Sequence, residues 1–134
     1  MKYPATRRHF AALATGAGLL AAFSFAAPIG ALAQHAPIQI SNVATKIGEG
    51  QWRWTVYVAG PPHEIGNISC VVYRLHPTFP DPVQRVCNIG DRKYPFALTA
   101  TGWGTFGLLA HVEFSDGQSQ DMVWYLDFSL PPLP

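Results

Sequence analysis

Charge is scarce in this chain: 13% of its 134 residues are Asp, Glu, Lys or Arg. From Gln34 onward six lysines and arginines stand against eight aspartates and glutamates, a formal balance of −2. A slightly acidic surface with scattered charges has no footprint for nucleic acid or anionic lipid. Cysteine is nearly missing as well, with only Cys70 and Cys87, whose spacing matches no zinc pattern. There is no nucleophile elbow, no His-Glu-x-x-His and no glycine-rich phosphate loop. His35, His63, His76 and His111 keep no spacing to Asp or Glu that would mark a triad. Catalysis, metals, cofactors and nucleic-acid partners are therefore not expected. Internal repeats and low-complexity stretches are also absent after residue 34.

What is present begins with Thr6-Arg7-Arg8-His9-Phe10, followed by an apolar, Ala/Gly/Leu-rich stretch from Ala11 to about Ile29 and the small-x-small pattern Ala31-Leu32-Ala33. This order of basic, apolar and small residues predicts a secretory signal peptide over residues 1–33, cleaved on maturation. The paired arginines before Phe10 suggest the twin-arginine route, which exports folded proteins. The expected location is periplasmic or secreted. The alternative is an uncleaved anchor, because the apolar stretch approaches the roughly 20 residues needed to span a bilayer. Gly16, Gly18, Pro28 and Gly30 weaken that reading. After cleavage no stable membrane span is expected, and about 100 residues remain, room for one domain with one core.

Beyond a short lead at His35 to Pro37, apolar residues recur in short runs broken by Gly, Pro, Asn and Asp, not at helical spacing. That is an all-β signature. Ile38, Ile40 and Val43 predict a first strand, ended by Gly48 and Gly50. Trp52, Trp54, Val56 and Val58 alternate with Arg53, Thr55 and Tyr57, a half-buried strand stopped by Gly60-Pro61-Pro62. From Ile68 to Leu75 both faces carry apolar residues, which predicts a central strand. Val83 to Val86 reads as an edge strand, Phe96 and Leu98 as part of another, and Thr99 to Gly104 as a turn. Phe106 to Phe114 is the next strand, and Asp116-Gly117 is a hairpin signal before the last, Met122 to Leu130. About seven or eight such strands fit an immunoglobulin-like two-sheet β-sandwich. It would occupy residues 36–131, with a Pro-rich tail at 132–134. A small barrel is the alternative that spacing alone leaves open.

If the chain reverses around Phe79, the flanking segments run antiparallel and residues 70 and 87 lie nearly opposite each other. In an exported protein a Cys70–Cys87 disulfide is then permissible, and its loop of about 18 residues would contribute about 3 kcal/mol. A pair of small buried thiols is the competing reading.

Two aromatic turns carry the functional information: Leu75-His76-Pro77-Thr78-Phe79-Pro80 and Gly102-Trp103-Gly104-Thr105-Phe106. A His-x-Ser/Thr-Phe-Pro turn followed by a Gly-aromatic-small-x-Phe turn resembles the YEATS domain, an immunoglobulin-like reader of acylated lysine. The prokaryotic branch of that family is the nearer likeness. It runs from Trp52-x-Trp54 to about Leu130. The resemblance implies that Phe79 and Trp103 sandwich a flat amide, that Thr78 supplies a hydroxyl and that the Trp103 N–H donates to the acyl carbonyl. It further implies that His76 orients the hydroxyl, that Gly102 and Gly104 keep the floor open and that Phe106 supports the wall.

Two positions depart from the family pattern. Trp103 stands where eukaryotic readers usually have Tyr, and Thr105 where they have a small residue. The first enlarges the stacking area; the second narrows the far end. The expected function is an exported binding module with an aromatic slot for an acylated amine or planar amide, its partner a small acyl-bearing ligand or an acylated peptide. The second reading is a structural or adaptor sandwich of the cell envelope that binds another envelope protein through an edge strand or the tail, with the aromatic turns as core packing. Trp52, Trp54 and Trp124 lie within strands and read as core or sheet-face residues.

Overall fold

The alternation of Trp52 to Val58 becomes a nine-residue strand in which Trp54, Val56 and Val58 are completely buried. The computed structural model describes residues 35–134, so the expected signal segment at 1–33 lies outside the described residues. In chain order the elements are β1 (Gln39–Gly48), β2 (Gln51–Ala59), α1 (Pro62–Gly66), β3 (Ile68–Arg74), β4 (Val83–Val86), β5 (Leu98–Gly102), β6 (Gly107–Phe114) and β7 (Ser119–Tyr125). They form two antiparallel sheets, a three-stranded one in the order β1-β2-β5 and a four-stranded one in the order β4-β3-β6-β7. This is the all-β, immunoglobulin-like sandwich that the strand pattern calls for. β3 is interior and β4 lies at an edge, as the two-sided and short apolar runs predict.

Inward residues of both sheets meet in one core, with Ile40, Trp54, Val56 and Val58 from the first sheet packing with Val71, Tyr73, Leu108, Ala110 and Val112 from the second. Burying an aliphatic or aromatic side chain of this size contributes about 1.5–3 kcal/mol each. The buried side-chain amide of Asn42 makes three hydrogen bonds. Its Nδ2 donates to the Asp127 carbonyl at 2.9 Å, and its Oδ1 accepts from Trp124 Nε1 at 2.8 Å and from the Asp127 amide at 3.0 Å. It thereby ties β1 to the segment after β7.

Four details differ from the strand reading. Thr99 to Gly102 is strand, not turn: β-branched Thr99 and Thr101 pair with Thr55 and Arg53, and the Thr55 and Thr99 hydroxyls lie 2.7 Å apart. The turn shrinks to the residues between Gly102 and Gly107. Phe96 is outside the strand because its φ is +52°, a left-handed conformation. That conformation is fixed by its amide donating to the Ile89 carbonyl at 3.0 Å and its carbonyl accepting from the buried Tyr73 hydroxyl at 2.8 Å. Burial pushes the Tyr73 phenol well above its ordinary pKa, so it stays a donor. The last strand stops at Tyr125, because the Asp127 carboxylate accepts from the Ser129 amide and hydroxyl and turns the chain.

The fourth difference is α1, a five-residue helix where the prolines read only as a strand stop. Pro62 at its start fixes a helical φ where no amide donor is needed. It presents the buried Glu64 to His35. His35 Nδ1 lies 2.9 Å from the Glu64 carboxylate and Nε2 2.9 Å from that of Asp116, so the protonated ring donates to both, and the ring stacks on Phe114 at 3.7 Å between centres. The bonds to Glu64 and Asp116 raise the His35 pKa, despite partial burial. The Asp116-Gly117 hairpin is present as expected, with Gly117 at φ +86°.

Cys70 and Cys87 form a disulfide. Val71 and Val86 face each other across β3 and β4, so the bridge continues that ladder by one position and staples the edge strand to the centre of its sheet.

Candidate functional site

Proline at the second position of a turn fixes φ for a reversal, and His76-Pro77-Thr78-Phe79 is such a turn, closed by the Phe79 amide on the His76 carbonyl at 3.0 Å. The Leu75 amide donates to the Pro82 carbonyl at its base. The side chain of Thr78 is held by its neighbour: His76 Nδ1 is 2.9 Å from Thr78 Oγ1 and accepts from the Thr78 amide at 3.3 Å. Since Nδ1 takes an amide proton, it carries none of its own, and the Thr78 hydroxyl is the donor in the shorter bond. Its oxygen lone pairs remain free for a partner.

The Phe79 ring is anchored from behind. It meets Trp54 edge-on at 6.0 Å and Phe106 at 5.4 Å, and Trp54 also meets Phe106 edge-on at 5.8 Å. His76 stands 6.1 Å from Phe106. Trp103 differs in kind. It is 77% exposed, so it packs in no core, and the reading of both aromatic turns as core packing fails at this residue. Phe79 and Phe106 are half-buried and belong in part to that core.

The two turns converge on one open cleft of about 650 Å³. His76, Thr78, Phe79, Gly102, Trp103, Gly104 and Phe106 all line it, so the residues expected from the sequence to bind a ligand reach the same space. Thr105 lines the open cleft too. Ile47 and Gln51 add a wall that sequence reasoning missed. The available signal was Ile47 itself, an exposed isoleucine beside the Gly48 and Gly50 punctuation, at a break in the β1–β2 register. Among the lining residues none is Asp, Glu, Lys or Arg. Among the described residues no group of three or more His, Cys, Asp or Glu is placed to hold a metal ion. A neutral, aromatic-walled cleft of this kind accepts a flat uncharged group more readily than an ion, because an ion buried without a counter-charge forfeits its hydration.

A sequence model of the prokaryotic YEATS domain matches residues 52–127, a range that takes in both aromatic turns and both cysteines. The chain belongs to the prokaryotic YEATS family. Similar proteins include the protein AF-9 homolog of Eremothecium gossypii, 38% identical over 98 residues, covering 65% of this chain and 45% of that protein. The protein AF-9 homolog of Saccharomyces cerevisiae is 34% identical over 98 residues, covering 65% and 41%. The YEATS chain thus spans less than half the length of these curated relatives. Among solved structures, the yeast AF-9 homolog protein Yaf9 superimposes with a TM-score of 0.57 at 31% identity, over 68% of this chain and 69% of that one. The Yaf9 YEATS domain recognizing an H3K122suc peptide does so with a TM-score of 0.56 at 33% identity, over 68% and 70%.

Proposed function

We infer that this protein is an exported YEATS module that binds an acylated amine, with the acyl amide held between Phe79 and Trp103. The observation that carries this reading is the convergence of the two turns on one uncharged cleft in which His76 holds the Thr78 hydroxyl. In that arrangement the Thr78 oxygen accepts the ligand's amide N–H, the Trp103 backbone N–H donates to its carbonyl, and the rings cover its two faces. The recognition of a succinylated histone peptide by the related Yaf9 domain supports an acylated lysine in a peptide as the ligand class, though not the carboxylate tip of that group, because the cleft here is lined by no lysine or arginine. The signal-like residues 1–33 and a disulfide, a bond favoured in oxidising compartments, support export. The module is a binder and not a catalyst.

Covering about 100 Å² of acyl surface contributes about 2.5 kcal/mol, and two hydrogen bonds about 1 kcal/mol each. That sum only matches the lowest cost of association, about 4 kcal/mol, so an isolated acyl-lysine binds at millimolar affinity or weaker. The peptide around it supplies the rest. The test is titration of residues 34–134 with Nε-acetyl-lysine and with unmodified lysine, observing Trp103 by NMR. Acetyl-lysine is expected to shift Trp103 and lysine to leave it unmoved; equal response to both, or none to either, ends this reading. Export is tested by fractionating cells that express the whole chain and sequencing the mature N-terminus, expected at Gln34.

A second reading, an adaptor that docks another envelope protein, draws on a different observation. Val83, Val123 and Tyr125 are 53%, 64% and 73% exposed on the outer side of the four-stranded sheet. If that face is the functional one, Tyr125→Ala abolishes association with the partner and Trp103→Ala leaves it intact.

A further inference from the structure

Trp54 is completely buried, and its indole Nε1 is a buried side-chain donor without a hydrogen-bond partner. Such a group is costly to leave unpaired and calls for an explanation. Its position supplies one. The atoms nearest to where a side chain on Gly102 would begin are Trp54 Nε1 at 3.7 Å and Phe79 Cζ at 3.9 Å. Gly102 and Phe79 both line the cleft, so the indole nitrogen lies directly beneath its floor. The edge-on rings of Phe79 and Phe106 offer it only the weak acceptor of an aromatic face.

We propose that Trp54 is a specificity residue of the cleft, its Nε1–H donating to an acceptor at the far end of the bound acyl chain. This deepens the acyl-amide reading of the same cleft and rests on it. The ligand class it selects is a short acyl group whose tip bears a hydroxyl or keto oxygen. A plain alkyl tip leaves the donor unpaired. A carboxylate tip would enter a cleft whose lining holds no lysine or arginine to balance it. Because Nε1 is sealed from solvent, the tip reaches it by lifting the edge of the Phe79 ring, which is half-buried and has the open cleft on one side. Glycine at 102 is not required by a positive φ, and a methyl group there would meet its neighbours at ordinary van der Waals separation. With glycine there, no Cβ stands between the cleft and Nε1, and the Phe79 ring edge is what the tip displaces.

The experiment compares Nε-butyryl-lysine with Nε-(3-hydroxybutyryl)-lysine on the wild-type domain, measuring affinity and the Trp54 indole proton by NMR. One neutral hydrogen bond gained predicts about three- to tenfold tighter binding of the hydroxylated ligand. The Trp54 indole proton should move downfield with that ligand alone. Trp54→Phe and Gly102→Ala are each expected to erase the preference, the first by removing the donor and the second by filling the approach. If Trp54→Phe does not fold, the wild-type indole signal and Gly102→Ala decide the matter. Equal affinity for the two ligands with no movement of the indole proton overturns the role of Trp54 and leaves the slot intact. Failure of both ligands to perturb Trp103 overturns the slot and this inference with it.

Discussion

His76 Nδ1 accepts both the hydroxyl proton and the amide proton of Thr78, at 2.9 and 3.3 Å, so a single imidazole nitrogen fixes the rotamer of one side chain and the turn that carries it. The pair is exposed and outside the core, which separates its contribution to binding from its contribution to folding. Thr78→Val keeps the shape and removes the hydroxyl. It should weaken acetyl-lysine binding about fivefold, the loss of one hydrogen bond, with a melting curve close to the parent's. Calorimetric titration beside a thermal melt checks this; unchanged affinity would remove Thr78 from the site.

The two rings of the slot should part company on truncation. Trp103→Ala is expected to change stability by less than about 0.5 kcal/mol, as for exposed positions in general, while abolishing measurable acyl-lysine binding. Phe79→Ala should lose binding and also about 2 kcal/mol of stability, below the ~3–5 typical of a fully buried phenylalanine. Denaturant melts of the two variants give the comparison. A Trp103→Ala protein as destabilised as Phe79→Ala would contradict the exposed position of that side chain.

Stability should depend on pH through His35. Its pKa in the fold lies above the ordinary 6.5, so its contribution is complete below pH 6.5 and is lost as the pH rises through the folded value. Glu64 and Asp116 are shifted the opposite way, below their ordinary 4.5 and 3.8. For Glu64 the first cause is a backbone hydrogen bond from Ala36, and for Asp116 one from Gln118; His35 adds to both. Their contributions are present above those values and are lost as the pH falls. His63, with Nε2 3.6 Å from Glu64 Oε1, is the other titratable neighbour. The thermal midpoint should therefore be highest between pH 4.5 and 6.5 and decline on the alkaline side. His35→Gln should flatten that decline, and an unchanged alkaline slope in the variant would show that another group sets it.

Removing the disulfide removes the staple on the edge strand. The Cys70→Ser/Cys87→Ser double variant should be less stable by about 3 kcal/mol, the value for a closed loop of this length. Urea unfolding of the variant and parent tests it. A loss under about 1 kcal/mol would mean that the ladder between β3 and β4 holds the edge without the bridge.

Much of this was legible because alternation is a local signal. The run Trp52 to Val58 can satisfy its apolar residues only as a strand, and it is one. The first turn was readable from its prolines, whereas the second begins later than Thr99 because Thr99 to Gly102 pair with β2 as strand. What escaped was set by distant partners. Phe96 is left-handed because Ile89 and Tyr73 bind its two backbone groups, and no local residue announces either. α1 is too short for periodicity, and its Glu64 sits beside a histidine 29 positions earlier in the chain. Ile47 and Gln51 reach the cleft through a register break in β1 and β2, which a count of alternating residues does not contain.

The side chain of Trp103 owes almost nothing to the core, and the core almost nothing to it. One jaw of the cleft is therefore built on Phe79, which rests on Trp54 and Phe106, while the other hangs on a short link between β5 and β6. On the proposed reading, mutations at Trp103 are filtered by ligand and scarcely by folding, whereas Phe106 in the same link packs on Trp54 and Phe79 and answers to both. A lineage carrying this sandwich could then change what the cleft recognises by drift at Trp103, without first acquiring stability to spare.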